Sequence, residues 1–217
     1  MPSARARLEW ANRVQAEYRS AVSAARTVHL LLLCGLDEEL ARDGMRIVTD
    51  ELDHARLSHE VRLALGGGDA PVPVEMAVPA ASPPLPELVD LAVRDFCLGE
   101  TFAVPLFAAM RLESTLPEVR AALERILRDE ARHRQFGWDL LDALLEVDGE
   151  TVRARVQLRL PGWLEGFRLA YGLGPSASPL TPEEEAAGLM APARYNEVHD
   201  RCLAEDILPR LHERGIS

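Results

Sequence analysis

The segment of residues 66–86, GGGDAPVPVEMAVPAASPPLP, restricts the possible folds more than any other part of the sequence. Proline recurs along it, at Pro71, Pro73, Pro79, Pro83 and Pro84. Each proline removes a backbone donor or clashes with a helical turn, so the segment cannot be a regular helix. At about 3.3 Å per extended residue it can reach roughly 70 Å, more than the roughly 45 Å length of a 30-residue helix. It can therefore connect two groups of helices as a crossover along their full length.

Helical periodicity on both sides of this linker, without the alternation of strands, predicts an all-α protein. The predicted helices are a first from about Ser3 to Leu33, a second opened by Asp37 and stopped at Gly66, a third from about Pro86 to Ser114, and a fourth from Pro117 to about Val147. The short connections predict two antiparallel hairpins, helices one with two and three with four. Pro105 predicts a kink or bulge one turn beyond Glu100.

The rest of the chain is predicted to cover this four-helix bundle. A fifth helix follows Asp148-Gly149 and is interrupted near Pro161-Gly162, and a sixth runs from about Pro182 to Arg214. The prediction is thus one domain over residues 1–217, with a core bundle over 3–147 and covering helices over 150–217.

Charge and composition exclude several classes of protein. The formal net charge of -11 disfavours binding to a nucleic-acid backbone, which requires a clustered basic surface. The apolar run from Val28 to Cys34 is too short to span a bilayer, and the amino terminus lacks the pattern of a signal peptide. The three cysteines are far apart, which argues against a disulfide framework or a thiolate zinc site. A cytoplasmic protein without membrane or nucleic-acid partners is expected.

The same motif, DExxH, occurs twice on predicted helices, as Asp50-Glu51-Leu52-Asp53-His54 and Asp129-Glu130-Ala131-Arg132-His133. Residues at i and i+3 share one helix face, so the Glu and His of each motif point inward together. Composition predicts about 0.04 chance matches to DExxH in a chain of this length, so its repetition is a strong signal of a shared site.

Hairpin geometry selects two more carboxylates, because residues equidistant from a turn lie at the same height. Glu17 and Glu51 are centred on residue 34, at the predicted turn, and Glu100 and Glu130 are centred on residue 115, at the other. Pairing Glu9 with Glu51 would place the turn inside the apolar part of the first helix. Glu17 and Glu100 are therefore the predicted partners of the two motifs.

Four carboxylates and two imidazoles form the ligand set of a carboxylate-bridged di-iron or di-manganese site. The predicted ligands are Glu17, Glu51, His54, Glu100, Glu130 and His133, and two Fe ions are the expected cofactors, with Mn as an alternative in either position. A ligating imidazole normally donates its other N–H to a carboxylate, so Asp129 is expected to orient His54 and Asp50 to orient His133. Residues Phe96, Cys97, Val104 and Phe107 are candidates for an apolar substrate pocket.

With this pattern, residues 8–147 resemble the ferritin-like superfamily of di-iron carboxylate proteins, which includes rubrerythrins, ribonucleotide reductase small subunits, bacterial monooxygenases and ferritins. Two complete ExxH halves look more like the oxygen-activating members than like ferritins. The DExxH form is similar to arylamine N-oxygenases, which have an additional histidine shortly before the second motif, where this chain has Leu123, Ile126 and Leu127.

The resemblance implies a di-iron monooxygenase-like enzyme that uses dioxygen to hydroxylate or N-oxygenate a small apolar or aromatic substrate. No flavin, nicotinamide or CxxC motif is present, so an external reductase or other electron donor is implied. A ferritin-like ferroxidase or iron-handling protein is the alternative. A hydroxylase of transfer RNA is a third interpretation, disfavoured by the negative charge. A homodimer is one candidate assembly.

Overall fold

The computed structural model describes residues 3–69, 83–170 and 179–217, and these residues form helices and turns without any strand. The all-α prediction is confirmed for these residues. Most of the predicted linker, residues 70–82, lies outside the described residues. No helix in the described ranges is both long and apolar enough to cross a membrane.

The first two helices form a pair with a short turn. Helix α1 spans Ala4–Leu33 and begins at Ser3, whose hydroxyl accepts a hydrogen bond from the Ala6 amide (3.0 Å). Helix α2 spans Glu38–Ala64 and is capped by Asp37, which accepts from the Glu39 amide (2.7 Å). Gly35 lies in the turn with a φ of 67°, a conformation in which a side chain would be strained. Both helices therefore run as the sequence predicted.

The third predicted helix is continuous, but it changes from α-helical to π-helical turns and back again. Helix α3 spans Pro84–Leu91, a π-helical segment spans Ala92–Glu100, and helix α4 spans Thr101–Glu113. The distortion therefore precedes Glu100 instead of following it, so its predicted position was wrong. Pro105 has no N–H for the Thr101 carbonyl, and the Cys202 thiol donates to that carbonyl instead (3.7 Å).

Helix α5, Pro117–Ala170, corrects the predicted end of the fourth helix. A single non-helical residue, Asp148 (φ -154°, ψ 76°), separates its two parts, and its carboxylate accepts from the Thr151 amide (3.2 Å). The predicted interruption near Pro161 was wrong because the helix continues through it. Pro161 lies on an exposed face, where water can satisfy the carbonyl left without a donor.

The predicted sixth helix is instead a series of short elements. These are α6 (Pro182–Ala186), α7 (Pro192–Cys202), a second π-helical segment (Leu203–Ile207) and α8 (Leu208–Glu213). Gly188, with a φ of 84°, ends the first of them. The Trp10 indole donates to the Ala187 carbonyl (2.9 Å), which fixes this segment against the start of α1.

Helix contacts define which elements surround the interior. Helix α1 packs against α2 and α3, the first π-helical segment and α4 pack against α5, and α2 packs against α5. Apolar side chains from both the predicted core and the C-terminal region lie in one hydrophobic core. That the chain is one domain stays a prediction.

Gly137 permits the closest approach between α5 and the first π-helical segment. A Cβ atom at Gly137 would lie 2.6 Å from Phe96 Cβ and 2.9 Å from the Phe96 carbonyl carbon. We expect Gly137→Ala to lower the free energy of unfolding by about 1–3 kcal/mol, since backbone must move to admit the methyl group. Chemical denaturation measures the change.

Gly166→Ala in the same helix is the matched control. A Cβ at Gly166 meets no atom within 4 Å, so this variant should match or exceed the wild type in stability, by up to about 1 kcal/mol. Equal stabilities of the two variants would contradict the close approach.

Candidate metal centre

Six side chains from α1, α2, the first π-helical segment and α5 meet in the interior. All six residues predicted from the sequence are buried: Glu17, Glu51, His54, Glu100, Glu130 and His133. Their potential ligand atoms form two groups, each within 4.8 Å, one of Glu17, Glu51 and His54 and one of Glu51, Glu100, Glu130 and His133. The buried Glu and His residues could therefore hold a metal ion.

The two carboxylates of the repeated motif each extend one oxygen toward each imidazole. Glu51 Oε2 lies 3.6 Å from His54 Nδ1, and Glu51 Oε1 lies 3.0 Å from His133 Nδ1. Glu130 Oε1 lies 3.6 Å from His54 Nδ1, and its Oε2 lies 3.6 Å from His133 Nδ1. Glu51 and Glu130 thus have the geometry of carboxylates that bridge two positions, one beside each histidine.

The other two carboxylates lie at the outer ends of this arrangement. Glu17 belongs to the group that contains His54, and Glu100 Oε2 lies 3.8 Å from His133 Nδ1. Each position is therefore bordered by one histidine, one terminal glutamate and one oxygen from each bridging glutamate. This donor set, rich in carboxylate with one imidazole per position, suits iron or manganese.

Several ligand atoms in this cluster have no hydrogen-bond partner among the described residues. They include both Nδ1 atoms, both oxygens of Glu51 and Oε2 of Glu130. Buried polar atoms without partners, and charges above all, are costly to keep out of water. Cations placed between these atoms would satisfy them, so the residues present fit a metal centre.

The outer nitrogen of each imidazole faces an aspartate from the opposite hairpin. His54 Nε2 lies 3.2 Å from Asp129 Oδ2, and His133 Nε2 lies 3.2 Å from Asp50 Oδ2. The structure thus makes the crosswise contacts that the sequence predicted. A proton held on Nε2 leaves Nδ1 with its lone pair directed at the carboxylates, as a metal ligand requires.

One arginine connects the two aspartates. Arg132, the variable residue before His133, donates from one nitrogen to Asp50 Oδ2 (2.6 Å) and to Asp129 Oδ1 (3.3 Å). Arg125 also forms an ion pair with Asp129. These guanidinium groups are partly exposed, and they hold both aspartates in place at the edge of the buried cluster. Burial acts to raise the pKa of Asp50, but hydrogen bonds with His133 and Arg132 outweigh it and lower that pKa.

Burial and crowding displace the pKa values of the glutamates in opposite directions. Burial, and then the neighbouring Glu51, raises the pKa of Glu17 well above 4.5, and burial together with Glu100 does the same for Glu130. Burial also acts to raise the pKa of Glu51, but the contacts of its oxygens with the imidazoles of His133 and His54 outweigh burial and lower that pKa to about 2. Although burial opposes its charged form, contacts with Asp50 and the glutamates raise the pKa of His133.

These shifts predict how metal stabilisation depends on pH. Because the pKa values of Glu17 and Glu130 are raised in the folded state, their protonation stabilises the metal-free fold below about pH 4.5. This contribution to the free energy of unfolding is lost as the pH rises toward the folded-state pKa values. Because the pKa of His133 is also raised in the folded state, the metal-free fold loses further stability as the pH rises above 6.5. Metal binding displaces these protons, so we expect the difference in Tm between metal-loaded and metal-free protein to increase between about pH 5 and 7.5. A difference that stays constant or decreases over this range would contradict the assignment.

The Asp129 contact predicts a measurable effect on metal affinity. We expect Asp129→Asn to weaken binding by about 10-fold to 100-fold, because the amide no longer provides the charge that holds the His54 Nε2 proton. Competition with a chelator measures the affinity. Asp53→Asn is the control, since Asp53 lies on α2 near the site but its side chain is 46% exposed. Equal affinities of the two variants would contradict a role for Asp129.

Ser20 is a neighbour of the site that the sequence did not reveal. Its hydroxyl donates to Glu100 Oε1 (3.3 Å) and thereby connects α1 to the end of the first π-helical segment. Spacing along α1 could have placed Ser20 one turn from Glu17, but its partner depends on how the two hairpins pack.

The four residues predicted to form a substrate pocket have other contacts in the structure. The Phe96 ring packs edge-on against Phe136 at 5.0 Å, and the Cys97 thiol donates to the Gly137 carbonyl (3.3 Å). Phe107 lies beneath the Arg13 guanidinium, and Val104 is partly buried. Burial raises the pKa of the Cys97 thiol, so it stays protonated. Their role in a pocket stays a prediction.

Comparisons with protein-family models, curated proteins and solved structures find no match to this chain. The assignment of function therefore depends on the geometry of the site itself.

Proposed function

We propose that this protein is a ferritin-like four-helix bundle with a di-iron centre that uses dioxygen to oxidise a small organic substrate. The observation that carries the proposal is the arrangement of Glu51 and Glu130, each with one oxygen toward His54 and one toward His133. Carboxylates in this arrangement can bridge two metal ions, which a mononuclear site would not need.

The ligand set supports iron over zinc as the bound metal. A catalytic zinc ion usually has three protein ligands, rich in histidine, whereas here four glutamates accompany two histidines. Bound iron would supply the redox chemistry with dioxygen that no protein side chain can perform.

The residues of the chain would bind the metal ions and exclude water from them. Glu17 and Glu100 would each bind one ion, Glu51 and Glu130 both ions, and the aspartates would fix the imidazole tautomers. Fully buried Ile47, Leu123 and Ile126 belong to the surrounding core and help to exclude water, which protects reactive species from side reactions.

The burial and outer contacts of the two histidines support a proposal in which bound metal is retained, as an enzyme requires, instead of released, as an iron store requires. Both histidines are fully buried, and each is held through Nε2 by an aspartate that an arginine pairs with in turn. A protein that passes oxidised iron to a mineral must release each ion repeatedly. We propose hydroxylation or N-oxygenation, with electrons from a separate donor.

A single-turnover experiment tests this proposal. Protein loaded anaerobically with ferrous ion is mixed with oxygenated buffer that contains aniline or toluene, followed by iron and product analysis. The ferrous load supplies the two electrons that reduce one oxygen atom to water, so no reductase is needed. We expect the iron to stay bound and an oxygenated product to form. A second sample receives ferrous ion in excess. Oxidation of many ferrous ions per site in that sample, with a ferric mineral inside an assembled shell, would favour the ferroxidase alternative over the oxygenase.

A further inference from the structure

Arg13 is a nearly buried cation that has hydrogen-bond donors to spare. Its side chain is 13% exposed, and its guanidinium lies over the rings of Trp10 and Phe107, at 5.2 and 5.3 Å from their centroids. Among the described residues, the hydrogen bond that it donates goes to Met110 Sδ (3.1 Å), and thioether sulfur is a weak acceptor. Its Nε is buried and has no partner in the described ranges. The guanidinium can therefore bind a further acceptor.

Three other arginines of the chain show what this group binds where a carboxylate is available. Arg26, Arg155 and Arg214 each donate two hydrogen bonds to one carboxylate, over distances between 2.6 and 2.9 Å. Their side chains are more exposed than that of Arg13, with exposed fractions between 16% and 34%. Arg13 forms only a long ion pair, of 3.8 Å, with the exposed Glu9. The most buried guanidinium of these four thus lacks the paired acceptor that the others have.

A second buried polar atom without a partner lies at the same level of the bundle. Ser58 is fully buried, and its hydroxyl has no hydrogen-bond partner among the described residues. Ser58 follows His54 by four residues, whereas Arg13 precedes Glu17 by four, and residues four apart share a helix face. Because α1 and α2 are antiparallel, both steps lead to the same side of the metal centre.

The second hairpin provides an apolar wall on this side. Positions four and seven residues after Glu100 and before Glu130 lie on the helix faces that carry these two ligands. They are occupied by Val104, Phe107, Ile126 and Leu123. The contact between Phe107 and Arg13 confirms that these positions lie on the same side as Arg13. The interior next to the metal centre is therefore polar toward α1 and α2 and apolar toward α4 and α5.

Tight packing closes the interior on the other side of the metal centre. A Cβ atom at Gly44 on α2 would lie 2.6 Å from Val28 Cγ2, and one at Gly137 on α5 would lie 2.6 Å from Phe96 Cβ. Positions that do not admit a methyl group leave little space for a ligand. A substrate is therefore expected on the side of Arg13 and Ser58.

We infer, on the basis of the proposed function, that the substrate is an apolar carboxylic acid whose carboxylate is bound by the Arg13 guanidinium and the Ser58 hydroxyl. The planar guanidinium matches the two oxygens of a carboxylate, and one cation balances its single charge. Without such a cation, the buried glutamates would repel an anionic substrate.

The distance from Arg13 to the metal ligands suits a small aromatic acid. Four residues of helix separate Arg13 from Glu17, which is a rise of about 6 Å. This rise is comparable to the length of a para-substituted benzene ring. A ring held between Val104 and Phe107 would thus place its para substituent near the metal centre, with the carboxylate at Arg13.

Calorimetric titration with 4-methylbenzoate and its neutral amide, 4-methylbenzamide, tests the carboxylate site. We expect the wild type to bind the acid at least about 10-fold more tightly than the amide, both without metal and when loaded anaerobically with ferrous ion. Arg13→Gln should weaken binding of the acid by about 10-fold to 100-fold, because the charge-assisted hydrogen bonds are lost, and should leave binding of the amide unchanged.

Three further variants control this measurement. Arg19→Gln is the matched control, because Arg19 is exposed on the same helix and bonds to Gln15 (3.2 Å), and it should bind the acid as the wild type does. Arg13→Lys keeps the charge without the planar fork and should recover part of the affinity. Ser58→Ala should weaken binding of the acid by about 3-fold to 10-fold, and it provides the comparison if Arg13→Gln does not fold.

Two outcomes of the titration would overturn the inference. One is the absence of a preference for the acid in the wild type, which includes a failure of the acid to bind. The other is a preference that requires iron and persists in Arg13→Gln, since the carboxylate would then bind the metal ions directly instead of the guanidinium.

Single-turnover oxidation separates the carboxylate site from the proposed function. Ferrous-loaded wild type mixed with oxygen should form more product from 4-methylbenzoate than from toluene, and Arg13→Gln should lower only the product from the acid. Equal product from the acid in both proteins, with toluene oxidised, would overturn the carboxylate site and leave the oxygenase in place. If nothing is oxidised but the acid still binds through Arg13, the oxygenase is wrong and the carboxylate site stands.

Discussion

Replacement of Glu51 by alanine should abolish the binding of both metal ions. Glu51 has one oxygen beside each histidine and belongs to both groups of candidate ligands, so its removal takes a ligand from each position at once. We expect iron-loaded wild type to contain about two ions per chain and the variant fewer than one, since Glu51 is the residue that the two groups of candidate ligands share. Elemental analysis after gel filtration measures the content.

Two further variants distinguish a bridging role from a general effect on the site. Glu17→Ala should lose mainly the ion beside His54 and keep the position formed by Glu100 and His133. Glu60→Ala removes an exposed charge from the same helix as Glu51 and should keep both ions. If Glu51→Ala lost only one ion, as Glu17→Ala should, the two-metal arrangement would be wrong.

Trp138→Ala should cause the largest loss of stability among simple truncations. Trp138 is fully buried, and its indole donates to Thr101 Oγ1 (3.0 Å). The guanidinium groups of Arg210 and Arg214 lie over its ring at 5.4 and 5.0 Å from the centroid, so the ring also supports the end of the chain. We expect a decrease of about 3–5 kcal/mol in the free energy of unfolding, from lost burial and the cavity that remains.

Trp138→Phe provides a measurable comparison if the alanine variant fails to fold. It keeps an aromatic ring but loses the N–H donor to Thr101, so we expect a smaller decrease of about 1–3 kcal/mol. Urea denaturation of both variants gives the values. A loss below about 1 kcal/mol for Trp138→Ala would show that the ring does not connect α5 to the C-terminal helices.

The parts of the site that follow from local spacing were predictable from the sequence. The positions of Glu17 and Glu51 depend only on a helical rise and a turn at Cys34-Gly35, and that turn is present. The contacts of Asp50 and Asp129 follow from the repetition of one motif in two hairpins, because the repeat imposes the same geometry on both. That the six residues bind metal stays a prediction.

The winding of the third helix was not predictable from such spacing. A π-helical turn depends on packing against other elements, and here the backbone of Phe96 and Cys97 lies against Gly137, in another helix. The hydrogen bond from Ser20 to Glu100 has the same origin, since it joins residues from different hairpins. Neither contact can be recognised from the sequence of one segment, because each joins residues from different helices.

The errors in the C-terminal region have different causes. A signal for the break after α6 was present, since Gly188 precedes Pro192, the first residue of α7, by only a few positions. At Pro161 the usual rule for proline was misleading, because the loss of one hydrogen bond on an exposed face is tolerated when the flanking residues remain helical.

The single extended residue at Asp148 divides the longest helix into two segments that can open separately. Cooperativity along a helix passes through its ladder of hydrogen bonds, and this ladder is interrupted where Asp148 caps the second part. We therefore expect the amide protons of residues 149–170 to exchange with solvent through a local opening that does not involve residues 117–147, which hydrogen exchange measured residue by residue would show. The segment that carries Glu130 and His133 would then keep its protection from amide exchange when residues 149–170 open.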